Sequence, residues 1–315
     1  MNSMKEVRRF WPYMLAAICC TWALITFDWT SIGQILWRFD YVQFLLAGVP
    51  LTLAVLGLRS LRWIAVAGMP FRWSSFRKVF VYTALAIAAA TPSPMQLGEL
   101  LKLKFTRDET GSSYAHLSVA FALERAMDLA VLAFLAAVGF SLHGTNSAVL
   151  ALTAALLFLS IALLLPTVRF LTKLNLPGFL SRTLKPIAQY QLSPKRLACL
   201  GLSTIAKWLL VALLWNAVFM SLDIEIPLST VLIVVVGVTL SVSLSLIPGG
   251  IGIAEVSTRA LLVWFGTDIT QAEAGAIGLR VISPLMIGLG LLIGLRILMT
   301  TKHSPGREAD EKRYG

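Results

Sequence analysis

Apolar residues along this chain run in long blocks with little helical striping, and polar residues collect between the blocks. A helix needs about 20 consecutive apolar residues to cross the hydrocarbon core of a bilayer. Blocks near that length read as full spans at 11–27, 42–58, 117–142, 147–165, 197–222 and 274–299. Two further blocks are broken. Residues 79–105 are interrupted by Pro92, Ser93 and Pro94, and residues 228–265 by Pro248, Gly249 and Gly250. The first span follows Lys5, Arg8 and Arg9 in the manner of a signal peptide. No small-residue cleavage site precedes Asp28 and further spans follow, so it reads as retained.

The polar connections differ in charge. Bases populate 59–78 (Arg59, Arg62, Arg72, Arg77, Lys78), 102–107 (Lys102, Lys104, Arg107), 166–196 and the tail. The connection 28–41 carries only Arg38, and 143–146, 223–227 and 266–273 carry none. Basic connections face the cytoplasm. This places both termini inside, in a multi-pass protein of the cell membrane. Stretch 79–105 lies between two basic segments and stretch 228–265 between two segments without bases. Each should therefore return to the side it entered from. The expected architecture is all-α and polytopic: six full spans plus two re-entrant helical hairpins of opposite polarity. Non-helical backbone at membrane depth survives only inside protein or beside a wet cavity. One transmembrane domain, 1–300, is expected, with halves of about 10–142 and 147–299, followed by a polar cytoplasmic tail at 301–315.

The two breaks follow one pattern. Pro92 precedes Gly98, Glu99 and Lys102; Pro248 precedes Gly252, Glu255 and Arg259. Proline to glutamate is seven residues in both. Paired interrupted helices in two halves point to a transport site near the midplane. The competing reading is that Pro94, Pro248, Gly249, Gly250 and Gly252 reflect the ordinary frequency of proline and glycine in membrane helices.

Composition agrees with the membrane reading. Of 315 residues, 57% are apolar or aromatic and 14% charged, with mean hydropathy +0.78. Soluble domains run about 45–50% apolar and about 25% charged. The net charge of +11 reports inside-facing bases and anionic lipid contact rather than nucleic-acid binding. Cys19, Cys20 and Cys199 match no disulfide framework or metal site, and no metal or cofactor is expected.

Ionisable residues inside a span are costly and are usually paired or functional. Here they are Glu124, Arg125 and Asp128 in one span, Lys207 and Arg280 in two others, Glu99 with Lys102 after the first break, and Glu255 with Arg259 after the second. Glu255 and Arg259 stand i,i+4 and can pair, as can Arg125 and Asp128 at i,i+3. One reading is structural ion pairs that lock helices together. The other is a polar pathway for a headgroup carrying phosphate, held by arginine, lysine and the N-termini of half-helices. Arg59 and Arg62, beside Trp63, are either interfacial anchors or a phosphate collector at the inner leaflet. Gly290 and Gly294 permit close helix packing.

Arg59 and Arg62-Trp63, then Pro92, Gly98-Glu99 and Lys102, then Glu124-Arg125 and Asp128, then Pro248-Gly249-Gly250, Gly252 and Glu255 occur in that order. Together they resemble the lysylphosphatidylglycerol synthase transmembrane family over about residues 10–300. The resemblance implies a lipid flippase, the membrane half of an enzyme that makes aminoacylated phosphatidylglycerol and moves it outward. Members of the bifunctional kind carry a soluble aminoacyltransferase domain after the membrane part. Only the segment 301–315 follows the last span here, so no transferase is expected. The first element, Pro92 to Glu99 with Pro94 in it, is richer in proline than the family pattern.

The function expected is non-enzymatic: translocation of a phosphate-containing lipid, whether phospholipid, aminoacyl-phospholipid or polyprenyl-phosphate-linked. Without a P-loop it would run downhill or on an ion gradient. Membrane lipids are the expected partners, nucleic acid is not, and a homo-oligomer or a lipid-synthesising enzyme is compatible as a protein partner. The alternatives are a permease for a small solute and an intramembrane lipid-modifying enzyme. The enzyme reading finds neither HExxH nor GxSxG, and His116, His143 and His303 stand at span ends or in the tail.

Overall fold

The computed structural model describes residues 14, 17–91, 93–144, 193–245 and 247–302. The span expected at 147–165 and Pro92 lie outside these residues. The described chain is helical: α1 (Ala17–Thr26), α2 (Trp29–Trp37), α3 (Tyr41–Val66), α4 (Trp73–Ala90), α5 (Leu101–Thr110), α6 (Tyr114–Leu142), α7 (Pro194–Ser221), α8 (Leu228–Ser245), α9 (Ile253–Trp264), α10 (Ile269–Gly278) and α11 (Ile282–Lys302). Short 3₁₀ segments occupy Pro94–Leu100, Pro248–Gly250 and Leu279–Val281. Among the described residues five helical stretches are long and apolar enough to cross a membrane: α3, α6, α7, α8 and the stretch Ile269–Gly294, which runs from α10 into α11. The chain is an all-α polytopic membrane protein.

Local sequence sets the helix starts. Asp40, Ser113, Ser193 and Asp268 each accept a hydrogen bond from a backbone N–H in the first turn that follows, satisfying donors that the helix leaves free. Asp28 does the same for α2. The Ser31 hydroxyl, with the Ser31 N–H, holds the Asp28 carboxyl below the usual carboxylate range. α3 and α7 pack along each other. The largest buried apolar cluster joins α6, α7 and α8 through Leu135, Leu214, Val218, Phe219, Val231 and Val235.

The two broken stretches are antiparallel hairpins. In the first, Gly98 lies against Ala89, Tyr82 stacks on Phe105 at 4.9 Å, and Lys78 pairs with Glu109. These pairs step outward in register from the break, so the segment turns back on itself. In the second, Gly250 lies against Val242 and Gly237 against Leu261. The return arms have 10 and 12 residues, about 15 and 18 Å at 1.5 Å per residue, too short to cross a hydrocarbon core of about 30 Å.

Helix α6 measures their polarity. Its 29 residues span about 43 Å. At its N-terminal end Tyr114 packs under Arg107, at the open end of the first hairpin. At its C-terminal end His143 meets Phe265 at 4.8 Å, and a Cβ on Gly139 would lie 2.9 Å from the Ser229 carbonyl. Ser229 and Phe265 are the two ends of the second hairpin. The hairpins therefore enter from opposite ends of the bundle, and their tips meet. A Cβ on Gly249 would lie 3.1 Å from the carbonyl oxygen of Thr91.

Three expectations change. α3 runs on past Leu58 to Val66, so Arg59 and Arg62 are inside the helix, not at its rim. The connection 28–41 holds the helix α2. The last span is interrupted at Leu279–Val281 and resumes as α11, whose Gly290 and Gly294 pack against Ala84 and Val81 of α4.

Candidate functional site

Close approach dictates glycine at the first turn-back. A Cβ on Gly98 would lie 2.2 Å from the Ala89 carbonyl carbon, so only glycine lets the 3₁₀ segment lie on α4. Ser93 supports it, its hydroxyl accepting from the Gly98 N–H at 2.9 Å. Conformation dictates glycine at the second: Gly249, Gly250 and Gly252 have φ of +63°, +60° and +85°. Pro94 and Pro248 open the two 3₁₀ segments.

The first turn-back delivers Glu99 into a cluster of charges drawn from four helices. Glu99 accepts from Arg59 Nη2 at 2.5 Å and from Arg125, with Lys102 at 3.8 Å. Lys102 donates to Glu124, and its ammonium lies 4.5 Å from the Trp63 ring centre. Asp128 takes Arg62 at 2.9 Å, Lys207 at 2.7 Å and the Trp208 indole N–H at 2.9 Å. Arg62, Lys102, Glu124, Asp128 and Lys207 are all buried. Glu124 to Asp128 stand 10 to 14 residues into α6, about 15–21 Å from its N-terminal end, near mid-membrane.

A second cluster serves the other hairpin. Arg280, in the 3₁₀ break before α11, grips Glu255 through Nε at 2.5 Å and Nη2 at 2.7 Å. It also donates to the carbonyls of Gly249 and Gly250 at 2.9 and 3.1 Å. Glu255 reaches back to the Gly252 N–H at 2.9 Å. Arg280 thus ties the tip of the hairpin to the helix behind it. Arg259 points elsewhere. Its Nε donates to the buried Glu273 at 2.8 Å, and its guanidinium lies 5.3 Å from the Trp22 ring. Glu273 also accepts from the Asp28 N–H at 3.1 Å.

The expected Glu255–Arg259 pair is therefore not formed. Helical spacing allows it, but each residue has a better partner on another element. Arg125 and Asp128 approach to 3.7 Å, yet the main partner of each comes from another element. Arg62 and Trp63 are not interfacial anchors: both are 1% exposed, and the Trp63 indole donates to Thr106. Glu273, Trp208 and Thr106 were missed. Glu273 falls in a stretch read as an outer loop, where an acid raises no question.

Both clusters border one cavity of about 500 Å³. Arg59, Glu99, Arg125, Asp128 and Lys207 line one side, and Gly249 and Arg280 another. Thr239, Ser243, Thr258 and Ser283 add hydroxyls, and Trp215, Leu132, Val211 and Met286 an apolar wall. A smaller space leads between Glu99 and Arg125 on one hairpin's side and Gly249 and Gly250 on the other's. A mid-membrane chamber with cations, hydroxyls and an apolar wall can hold an anionic headgroup and part of its chain. Among the described residues no cluster of histidine, cysteine, aspartate and glutamate has metal-binding geometry.

Residues 10–290 match the family described as the lysylphosphatidylglycerol synthase TM region. A relative named UPF0104 membrane protein, from Methanothermobacter thermautotrophicus, is 26% identical over 314 residues, covering 90% of this chain and 92% of the relative. No solved structure matches the chain.

Proposed function

The chain belongs to the lysylphosphatidylglycerol synthase transmembrane-region family, and we propose that it is a lipid translocase that moves a phosphate-containing lipid between the leaflets of the cell membrane. One observation carries the reading: a cavity at membrane depth is bordered by hairpins that enter from opposite ends and meet at their tips. A site reached from both sides through two thin, broken-helix barriers is what alternating access needs. The cationic side, with Arg59 and Arg125 facing the space, takes the phosphate. The wall of Trp215, Leu132 and Met286 takes the first acyl or prenyl carbons. The end bearing Lys78 and Arg107 is the cytoplasmic one.

The test is transport in liposomes. Purified protein is reconstituted into vesicles holding a trace of fluorescent phospholipid, and a membrane-impermeant quencher is added outside. The reading expects the protected inner-leaflet fraction to fall well below the half that empty vesicles keep. Identical traces from protein-containing and empty vesicles, for phospholipid and polyprenyl-phosphate probes alike, would contradict it.

A further inference from the structure

The two clusters differ in charge. The second is balanced: Arg259 with Glu273 and Arg280 with Glu255. The first is not. Arg59, Arg62, Lys102, Arg125 and Lys207 face only Glu99, Glu124 and Asp128, five cations against three carboxylates. Every ion pair found in this cluster joins members of these eight residues, and no further carboxylate comes within pairing distance among the described residues. The acceptors run short as well. Arg62 Nε and Arg125 Nε are buried without a hydrogen-bond partner, although buried guanidinium donors are nearly always satisfied.

Surplus charge at membrane depth is costly unless an opposite charge joins it. The surplus is two, and the members that reach the cavity are positioned to share it. Arg59 and Arg125 have side chains 22% and 36% exposed, whereas those of Arg62, Lys102 and Lys207 are at most 6% exposed. We infer that the headgroup site selects a dianion: a lipid ending in a phosphate monoester, or one carrying two ionised phosphate groups, in preference to a phosphodiester with one charge or a zwitterion. The inference rests on the lipid-translocase reading and names its substrate class. A doubly charged phosphate cancels the surplus and supplies acceptors for Arg59 and Arg125. A single charge leaves one cation unbalanced, and a zwitterion leaves two.

Phosphatidic acid and its methyl ester, phosphatidylmethanol, test this directly, since they differ by one charge and one methyl group. Binding to the detergent-solubilised full chain is measured by native mass spectrometry at about pH 8, where a phosphate monoester is doubly ionised. Phosphatidylcholine serves as the zwitterion and glycerol 3-phosphate as the same headgroup without chains. Phosphatidic acid should bind about tenfold or more tighter than phosphatidylmethanol, with phosphatidylcholine weaker still. The variant Lys207→Gln leaves a surplus of one, while Asp128 keeps Arg62 and Trp208, and should bring the two anionic lipids within about threefold of each other. Equal binding of the two by the wild-type protein overturns the inference, whether or not Lys207→Gln accumulates. If both bind equally and both are translocated in vesicles, the translocase reading stands and the dianion inference falls. If only glycerol 3-phosphate binds, the dianion site stands and the lipid reading falls. If nothing binds, both fall.

Discussion

The two hairpins have the same chain grammar and use it differently. Each runs helix, proline-led 3₁₀ turn, then a short helix, with a glutamate at the turn: Glu99 within the first 3₁₀ segment, five residues after Pro94, and Glu255 in the first turn of α9, seven residues after Pro248. In the second hairpin the glutamate stays within its own half. Glu255 caps α9 through Gly252 and takes Arg280, and Arg280 also holds the two tip carbonyls. In the first hairpin the glutamate leaves its element entirely. Glu99 meets Arg59 of α3 and Arg125 of α6, the latter two facing the cavity. The same motif thus makes a fastener in one half and a shared counter-charge in the other. The consequence is that the charged residues are not interchangeable. Loss of Glu99, whose partners Arg59 and Arg125 face the cavity, should show in transport, whereas loss in the fully buried part of the first cluster or in the second cluster should show in stability.

The largest effect is expected where the first cluster is deepest. Asp128→Asn strands Lys207 and leaves Arg62 only the more distant Glu124 carboxylate at 3.7 Å, both bases being nearly fully buried, and should destabilise the protein by about 3–5 kcal/mol. Thermal unfolding in detergent would show it, and Lys207→Met added to Asp128→Asn should recover part of the loss. A melting temperature unchanged by Asp128→Asn would mean that the cluster is hydrated rather than buried.

Next come the two turn-backs. Gly98→Ala forces a methyl group into the Ala89 backbone and should cost about 1–3 kcal/mol or more. Gly249→Ala meets no contact closer than 3.1 Å, so it carries chiefly the strain of positive φ, about 1–2 kcal/mol. Equal losses would mean that the first tip is looser than described.

The sharpest contrast is between the glutamates themselves. Glu99→Gln should leave the melting temperature close to wild type and lower translocation by about tenfold, a barrier of about 1.4 kcal/mol. Glu255→Gln should lower the melting temperature while translocation per folded molecule stays within about twofold of wild type. The reverse result would exchange the roles of the hairpins. The smallest effect is expected at the exposed pair across the mouth of the first hairpin. Lys78→Ala should change stability by about 0–1 kcal/mol, detectable only by comparison with a Glu109→Ala partner in a double-mutant cycle.

Much of this arrangement is written in the sequence. The apolar blocks mark the spans, and the proline–glycine breaks mark both hairpins. The distribution of bases assigns their opposite polarity, which the contacts at the two ends of α6 support. Partner choice is not written there. Spacing within a helix shows who can pair locally, so Glu255 and Arg259 look matched. The actual partners, Arg280 and Glu273, come from helices that only packing brings near. The break at Leu279–Val281 had one overlooked signal. Pro284 lacks the N–H that a helix interior uses and is favoured in a first turn, which is where α11 places it. The inward position of Arg62 had a signal too: Trp63, Ile64, Ala65 and Val66 continue the apolar run beyond the arginines and are buried in the structure.

The most direct measurement is the structure of the full chain in lipid nanodiscs containing phosphatidic acid, solved by electron cryomicroscopy. The account predicts headgroup phosphate density within hydrogen-bond distance of Arg59 and Arg125, with the Arg280–Glu255 and Arg259–Glu273 pairs intact. Phosphate density on Arg259 or Arg280, with the Glu99 cluster closed and empty, would contradict it.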